Sequence, residues 1–163
     1  MTRRSTFLWE GISDPRNFGG TPLGTWATSP FGSDTALDVI DVVVSYSPEE
    51  RLDFIERTLV SAVQNGESSE DPLPDETLAV AAILAANLPG GAELPWNEDA
   101  EGVDHWLTKP VHARYSALAV EAIEAALPPE GWWRRSWVDA SDRREFDEAL
   151  GRLLVVLRAA AQD

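Results

Sequence analysis

Apolar positions recur three and four residues apart along most of this chain, the spacing that gathers side chains on one face of an α-helix. Between 33 and 46 the pattern runs through Ala36, Leu37, Ile40, Val43 and Val44, and Ser33 or Asp34 supplies the oxygen of an N-cap. The run DVIDVVV is rich in β-branched residues, so a strand competes there. Strict alternation is absent, and the spacing predicts a helix. SPEER at 47–51 is a stronger start signal: Ser47 as N-cap, Pro48 in the first helical position and Glu50 placed for a reciprocal capping box. Leu52, Ile55, Leu59, Ala62 and Val63 share a face behind it. Asn65-Gly66 closes this second helix, because glycine takes the left-handed conformation without a Cβ penalty.

Pro74, Asp75 and Glu76 open a third helix over 74–88, with negative charge at the end where the helix dipole favours it. Its stretch LAVAAILAANL is apolar nearly all round, which predicts the buried central element of a bundle. Pro89-Gly90-Gly91 stops it. Residues 89–109 read as a long connection carrying Trp96, His105 and Trp106, with a short helix near 103–107. Pro110 is expected to open a fourth helix, 110–127, along the stripe Val111, Tyr115, Leu118, Ala119, Ala122, Ile123 and Ala126. EGWWRRSWV suggests a short helix. The last helix, 141–160, turns Phe146, Leu150, Leu153, Leu154 and Leu157 inward.

Five main helices, no strand and short connections predict an all-α, single-domain irregular bundle. Residues 1–23 read as an N-terminal extension and 24–163 as the helical domain. Phe7, Leu8, Trp9 and Phe18 make the extension too apolar for a free tail, so part of it is expected to pack on the body, a disordered tag-like leader being the alternative.

Composition narrows the function classes. A chain of 163 residues can bury about 70% of its unfolded surface, enough for a core without a metal or disulfide staple. Cysteine is absent, which removes disulfides, thiolate catalysis and cysteine zinc sites together. That usage fits a reducing cytosol. MTRRSTFLWEG lacks an apolar signal-peptide core, and no apolar run reaches a membrane span, so a cytoplasmic location is expected. Thirteen basic residues face 28 acidic ones, for a net charge of −15. Such a field repels nucleic acid and anionic membranes and attracts a basic protein partner.

Candidate chemistry is sparse. Asp34, Asp38 and Asp41 share a helix face, where three carboxylates could hold a hard cation, but the favoured reading is a solvated face with one cap. His105 and His112 lack the spacing of a helical zinc pair. No Gly-x-Ser-x-Gly elbow or phosphate loop is present, and no pattern calls for a cofactor. WWRRSW is the most unusual local composition: Trp132, Trp133, Arg134, Arg135 and Trp137 form one basic, aromatic cluster on an acidic chain. Tryptophan and arginine are enriched at binding hot spots, which makes this the candidate protein-binding surface. The competing reading anchors the tryptophans in the core and pairs the arginines with Asp139, Asp142 and Glu145.

The stretch LGTWATSPFGSDTALD, residues 23–38, reads as a structural plug and cap: Trp26 and Phe31 tuck beneath the bundle, and Ser33 or Asp34 starts the first helix. It also resembles the opening of a bacterial family of small helical proteins classed as a domain of unknown function. The family's pattern is Gly-x-Trp-Gly-x-Gly-x-Phe-x-Asn-Asp-x-Ala-x-Asp. Gly24, Trp26, Phe31, Asp34, Ala36 and Asp38 stand at matching places, while Ala27, Ser29 and Ser33 replace Gly, Gly and Asn. The likeness continues through ETLAVAAILAANLPGG and covers about residues 24–160. It implies a helical bacterial domain and no particular activity. The expected function is therefore a non-enzymatic interaction domain, immunity- or adaptor-like, that binds a basic protein. A homo-oligomeric structural protein is the second reading, and a metal-assisted hydrolase built on the Asp34, Asp38, Asp41 face the third.

Overall fold

In the computed structural model, which describes residues 28–67, 72–136 and 139–162, the first helix, α1 (Asp34–Val44), starts at Ser33. Ser33 is extended, and its Oγ accepts a hydrogen bond from the Ala36 amide at 3.0 Å. Helix thus prevails over strand in DVIDVVV. The core face of α1 is narrower than its apolar spacing suggests. Ala36, Val39 and Val43 are buried, whereas Leu37 and Val44 remain 45% and 50% exposed. The reason lies in packing: α1 rests chiefly on α3 and touches α2 only lightly, so one stripe of its surface is covered.

α2 (Pro48–Asn65) has the reciprocal capping box. The Glu50 amide donates to Ser47 Oγ at 3.3 Å, and the Ser47 amide donates to Glu50 Oε1 at 2.9 Å. Gly66, at φ 63°, ends the helix. One turn into α2, Arg51 clamps the end of α1. Its guanidinium donates to the carbonyls of Val43 at 2.9 Å, Val44 at 3.2 Å and Trp106 at 3.0 Å. A cation is favourable at a helix C-terminus, where the last carbonyls lack partners of their own.

α3 (Pro74–Ala86) is the centre of the bundle. Every residue from Thr77 to Ala86 is buried, and α1, α2, α4 and α6 all pack on it. Its alanines let those helices approach closely from several sides. Leu73 has no capping side chain, so Glu76 compensates by accepting a 2.7 Å bond from the Leu73 amide. α3 ends two residues before the expected 88, because Asn87 leaves helical geometry and closes the end with its side chain. Asn87 Nδ2 donates to the carbonyls of Ile83 at 2.8 Å and Val103 at 2.9 Å, and Oδ1 accepts from the Leu107 amide at 3.2 Å. The long connection then folds into two short 3₁₀ turns, Pro95–Asp99 and Val103–His105, which bury Trp96, Val103 and Leu107.

α4 (Ala113–Ala126) begins three residues later than expected. Pro110 lies in the preceding loop, and His112 is the N-cap, its Nδ1 accepting from the Arg114 amide at 3.0 Å. Ser116, Ala119, Ala122, Ile123 and Ala126 are buried, with Tyr115 and Leu118 half-buried beside them. α5 (Trp132–Arg135) is a single turn. α6 (Ala140–Ala161) is capped by Asp139, whose Oδ1 accepts from the Ser141 and Asp142 amides at 2.7 and 3.2 Å. It buries Phe146, Leu150, Leu153, Val156, Leu157 and Ala160, while Leu154 is only half-buried. The result is an all-α bundle, with no strand and no helix long and apolar enough to cross a membrane among the described residues.

Gly151 sits exposed inside α6, with nothing within 4 Å of where a Cβ would stand. Glycine in a helix interior costs about 0.5–1 kcal/mol relative to alanine. Gly151→Ala is therefore expected to raise the unfolding free energy by that margin, seen as a higher urea midpoint with an unchanged slope. An unchanged or lowered midpoint would show that this stretch of α6 is not a regular helix.

Candidate functional site

The tryptophan–arginine cluster is divided between interior and surface. Trp133 turns toward α6 and packs against Phe146 with the rings tilted at 58° and their centres 5.0 Å apart. Arg134 lies 5.8 Å from the same ring centre, donates to the Leu127 carbonyl at 3.3 Å and pairs with Asp147 at 2.8 Å. These two residues hold α5 to the body. Trp132 is 39% exposed and Arg135 is exposed, so they form the outer half of the cluster. Trp137 lies outside the described residues.

The turn is pinned from the far side by Glu67. Its Oε2 accepts from the Trp133 amide at 3.1 Å, and its backbone carbonyl accepts from Trp132 Nε1 at 3.4 Å. Gly131 makes room for this carboxylate, since a Cβ there would come within 2.1 Å of Glu67 Oε2. The sequence concealed the partnership, because Glu67 belongs to an acidic loop more than sixty positions away.

Of the plug, Phe31 is buried to 1% exposure, and a turn closed by the Gly32 amide on the Ser29 carbonyl at 3.1 Å feeds it into the core. Ser33 is the cap and Asp34 the first, exposed residue of α1. Trp26 lies outside the described residues. Asp75, in the first turn of α3, is the carboxyl on which the Ser33 side chain acts. Burial pushes the Asp75 carboxyl up from 3.8 to about 6, opposed by the Ser33 hydrogen bond and reinforced slightly by neighbouring Glu76.

The sign of this shift fixes a pH dependence. A carboxyl whose folded pKa lies above its unfolded value favours the fold while protonated. That contribution is complete below about pH 4 and is lost as pH rises through about 6. Asp75→Asn is expected to be more stable than the parent at pH 7.5 by about 1–2 kcal/mol after allowance for partial exposure. The difference should vanish near pH 4. Parallel urea titrations at both pH values check it, and an equal difference at each would remove Asp75 as the cause.

The remaining titratable candidates stay apart. Asp34, Asp38 and Asp41 are exposed along α1. His112 caps α4, and His105 lies at the surface, its Nδ1 3.1 Å from Asp104. Among the described residues no group of three or more His, Cys, Asp or Glu side chains is arranged to hold a metal ion.

A concave acidic surface emerges that sequence spacing did not reveal. A groove of about 330 Å³ opens between Thr28–Ser29, the Pro95–Asp99 turn and the outer side of α6. Glu98 and Asp99 line one wall, and Glu145 and Glu148 the other, with Arg152 the one cation among the described lining residues. Trp96 forms part of the lining, its Nε1 buried without a hydrogen-bond partner among the described residues. Glu145, Glu148 and Arg152 are legible in sequence as a polar stripe of a helix. Their approach to Glu98 and Asp99 depends on how the long connection folds over α6, which periodicity does not encode.

These features define a class: a small all-α domain with a closed apolar centre and an acidic groove on its exterior. The chain belongs to the family described as Domain of unknown function (DUF4259), whose profile matches residues 24–149. No curated protein and no solved structure matches the chain.

Proposed function

We propose that this protein is a bacterial, cytoplasmic, non-enzymatic interaction domain that receives a basic segment of a protein partner in the groove between the Pro95–Asp99 turn and α6. The observation that carries the reading is the convergence of Glu98, Asp99, Glu145 and Glu148 on one concavity, against the single Arg152. A net charge of −15 steers a cationic partner toward the molecule, and clustered carboxylates fix where it docks. Nucleic acid and anionic membranes are disfavoured by the same field.

A nona-arginine peptide provides the test. Glu145→Lys with Glu148→Lys is expected to weaken its binding by about tenfold or more. Asp38→Lys with Asp41→Lys makes the same change in net charge on α1 and should weaken it about threefold or less, as a long-range effect. Equal losses in the two pairs would mean that the peptide reads bulk charge, and the groove would lose its role.

A second reading, self-association, is favoured by the outer face of α1. Leu37 and Val44 are exposed on α1, with half-buried Ile40 between them in sequence, and Trp132 adds exposed apolar surface elsewhere. A monomer in sedimentation across a wide concentration range removes this reading, whereas a dimer dissociated by Leu37→Glu would establish it.

A further inference from the structure

A second concavity has the opposite electrostatic character. A cleft of about 600 Å³ lies between the C-terminal end of α3, the loop leading into α4 and the end of α6. Its size falls within the range of small-molecule sites. Ala86, Leu88, Pro89, Val111 and Ala160 supply mostly apolar walls. The α3 side makes few polar demands: the carbonyls of Ile83, Leu84 and Ala85 already accept from the Asn87 side chain and from the Asn87 and Leu88 amides.

Among the described residues no aspartate or glutamate lines this cleft, although the chain carries 28 of them. The polar groups at its mouth include Lys109, the single lysine of the sequence, and His112. Because His112 Nδ1 accepts from the Arg114 amide, the proton of its neutral ring sits on Nε2, leaving that nitrogen a donor. An apolar chamber with an ammonium and an imidazole N–H at its rim matches one ligand chemistry. We propose that the cleft binds a small amphipathic carboxylate, with the apolar body between α3 and α6 and the carboxylate on Lys109 and His112. The acidity of the rest of the molecule does not prevent this, since exposed charges beyond about 8 Å are largely screened at physiological salt. The site is separate from the acidic groove and independent of the basic-partner reading.

Octanoate is the probe, titrated by calorimetry into the full chain, with octanol and acetate as the two controls. Saturable octanoate binding is expected, with a Kd of about 0.1–1 mM for so small a ligand. Octanol and acetate should each bind about tenfold more weakly or not at all, lacking respectively the charge and the apolar body. Lys109→Glu, at an exposed loop position, should weaken octanoate by about tenfold or more. Ala92→Trp, on an exposed turn at the edge of the cleft, should block it with the circular dichroism spectrum preserved. Absence of saturable octanoate binding would overturn the proposal. So would octanol or acetate binding equally well, or parental affinity in both variants. None of these results bears on nona-arginine binding in the acidic groove.

Discussion

Asn87→Leu is expected to destabilise the protein by about 3 kcal/mol, one of the two largest effects of any single substitution considered. The side chain is 3% exposed and makes three hydrogen bonds that tie the end of α3 to the 103–107 connection. Leucine has similar volume, so packing changes little and the loss is one of polar satisfaction. The Val103 carbonyl keeps the Trp106 amide as a second donor, but the Ile83 carbonyl and the Leu107 amide lose the partner they have here. Each orphaned buried group costs about 1–3 kcal/mol. Urea unfolding followed by tryptophan fluorescence reads the change, because Trp96 and Trp106 lie in the segment that Asn87 fastens. An unfolding free energy within about 0.5 kcal/mol of the parent, a margin typical of surface changes, would mean that this amide is not the staple described.

Gly91→Ala should be comparably damaging for a different reason. A Cβ at this position would stand 1.6 Å from the Ala85 carbonyl oxygen and 2.7 Å from its carbon. Both are backbone atoms of the central helix, so no side-chain rotation relieves the overlap and the turn must move. A loss of about 3 kcal/mol or more is expected. Gly90→Ala is the internal comparison. Gly90 has φ 84° with open space around it, so alanine there meets only the left-handed backbone penalty of about 1–2 kcal/mol. The order of stability should be parent, then Gly90→Ala, then Gly91→Ala. The reverse order would place the close approach at the wrong glycine.

These two positions also show what the sequence discloses and what it withholds. Helix content was legible because it is written locally: SPEER carries its own capping box, and LAVAAILAANL is too uniformly apolar to lie on a surface. Which residues close the helices was less legible. Asn87 reads as an interruption of an apolar run, yet it is the polar group best satisfied by the core, through partners 16 and 20 positions away. Pro89-Gly90-Gly91 reads as a simple stop, although only Gly91 is required by close backbone approach. Leu37 and Val44 fit the apolar spacing of α1 and still face outward, because periodicity does not say how wide a stripe the neighbours will cover.

The candidate site followed the same division. The tryptophan–arginine run stood out by composition, and the structure divides it into an inner pair, Trp133 and Arg134, and an outer pair, Trp132 and Arg135. The acidic groove was invisible because its two walls come from segments nearly fifty residues apart, and each wall alone resembles an ordinary solvated surface. Ser33 and Asp34 were both legible as the cap; the bond from the Ala36 amide selects Ser33, and the effect of Ser33 on Asp75 depends on α1 and α3 meeting side by side.

The most direct test of the account is an NMR titration of the ¹⁵N-labelled protein with nona-arginine at physiological salt. The account predicts amide shifts concentrated at Glu98, Asp99, Glu145, Glu148 and Arg152, shrinking as salt is raised. Shifts spread evenly over the acidic surface, or centred on Trp132 and Arg135, would contradict it.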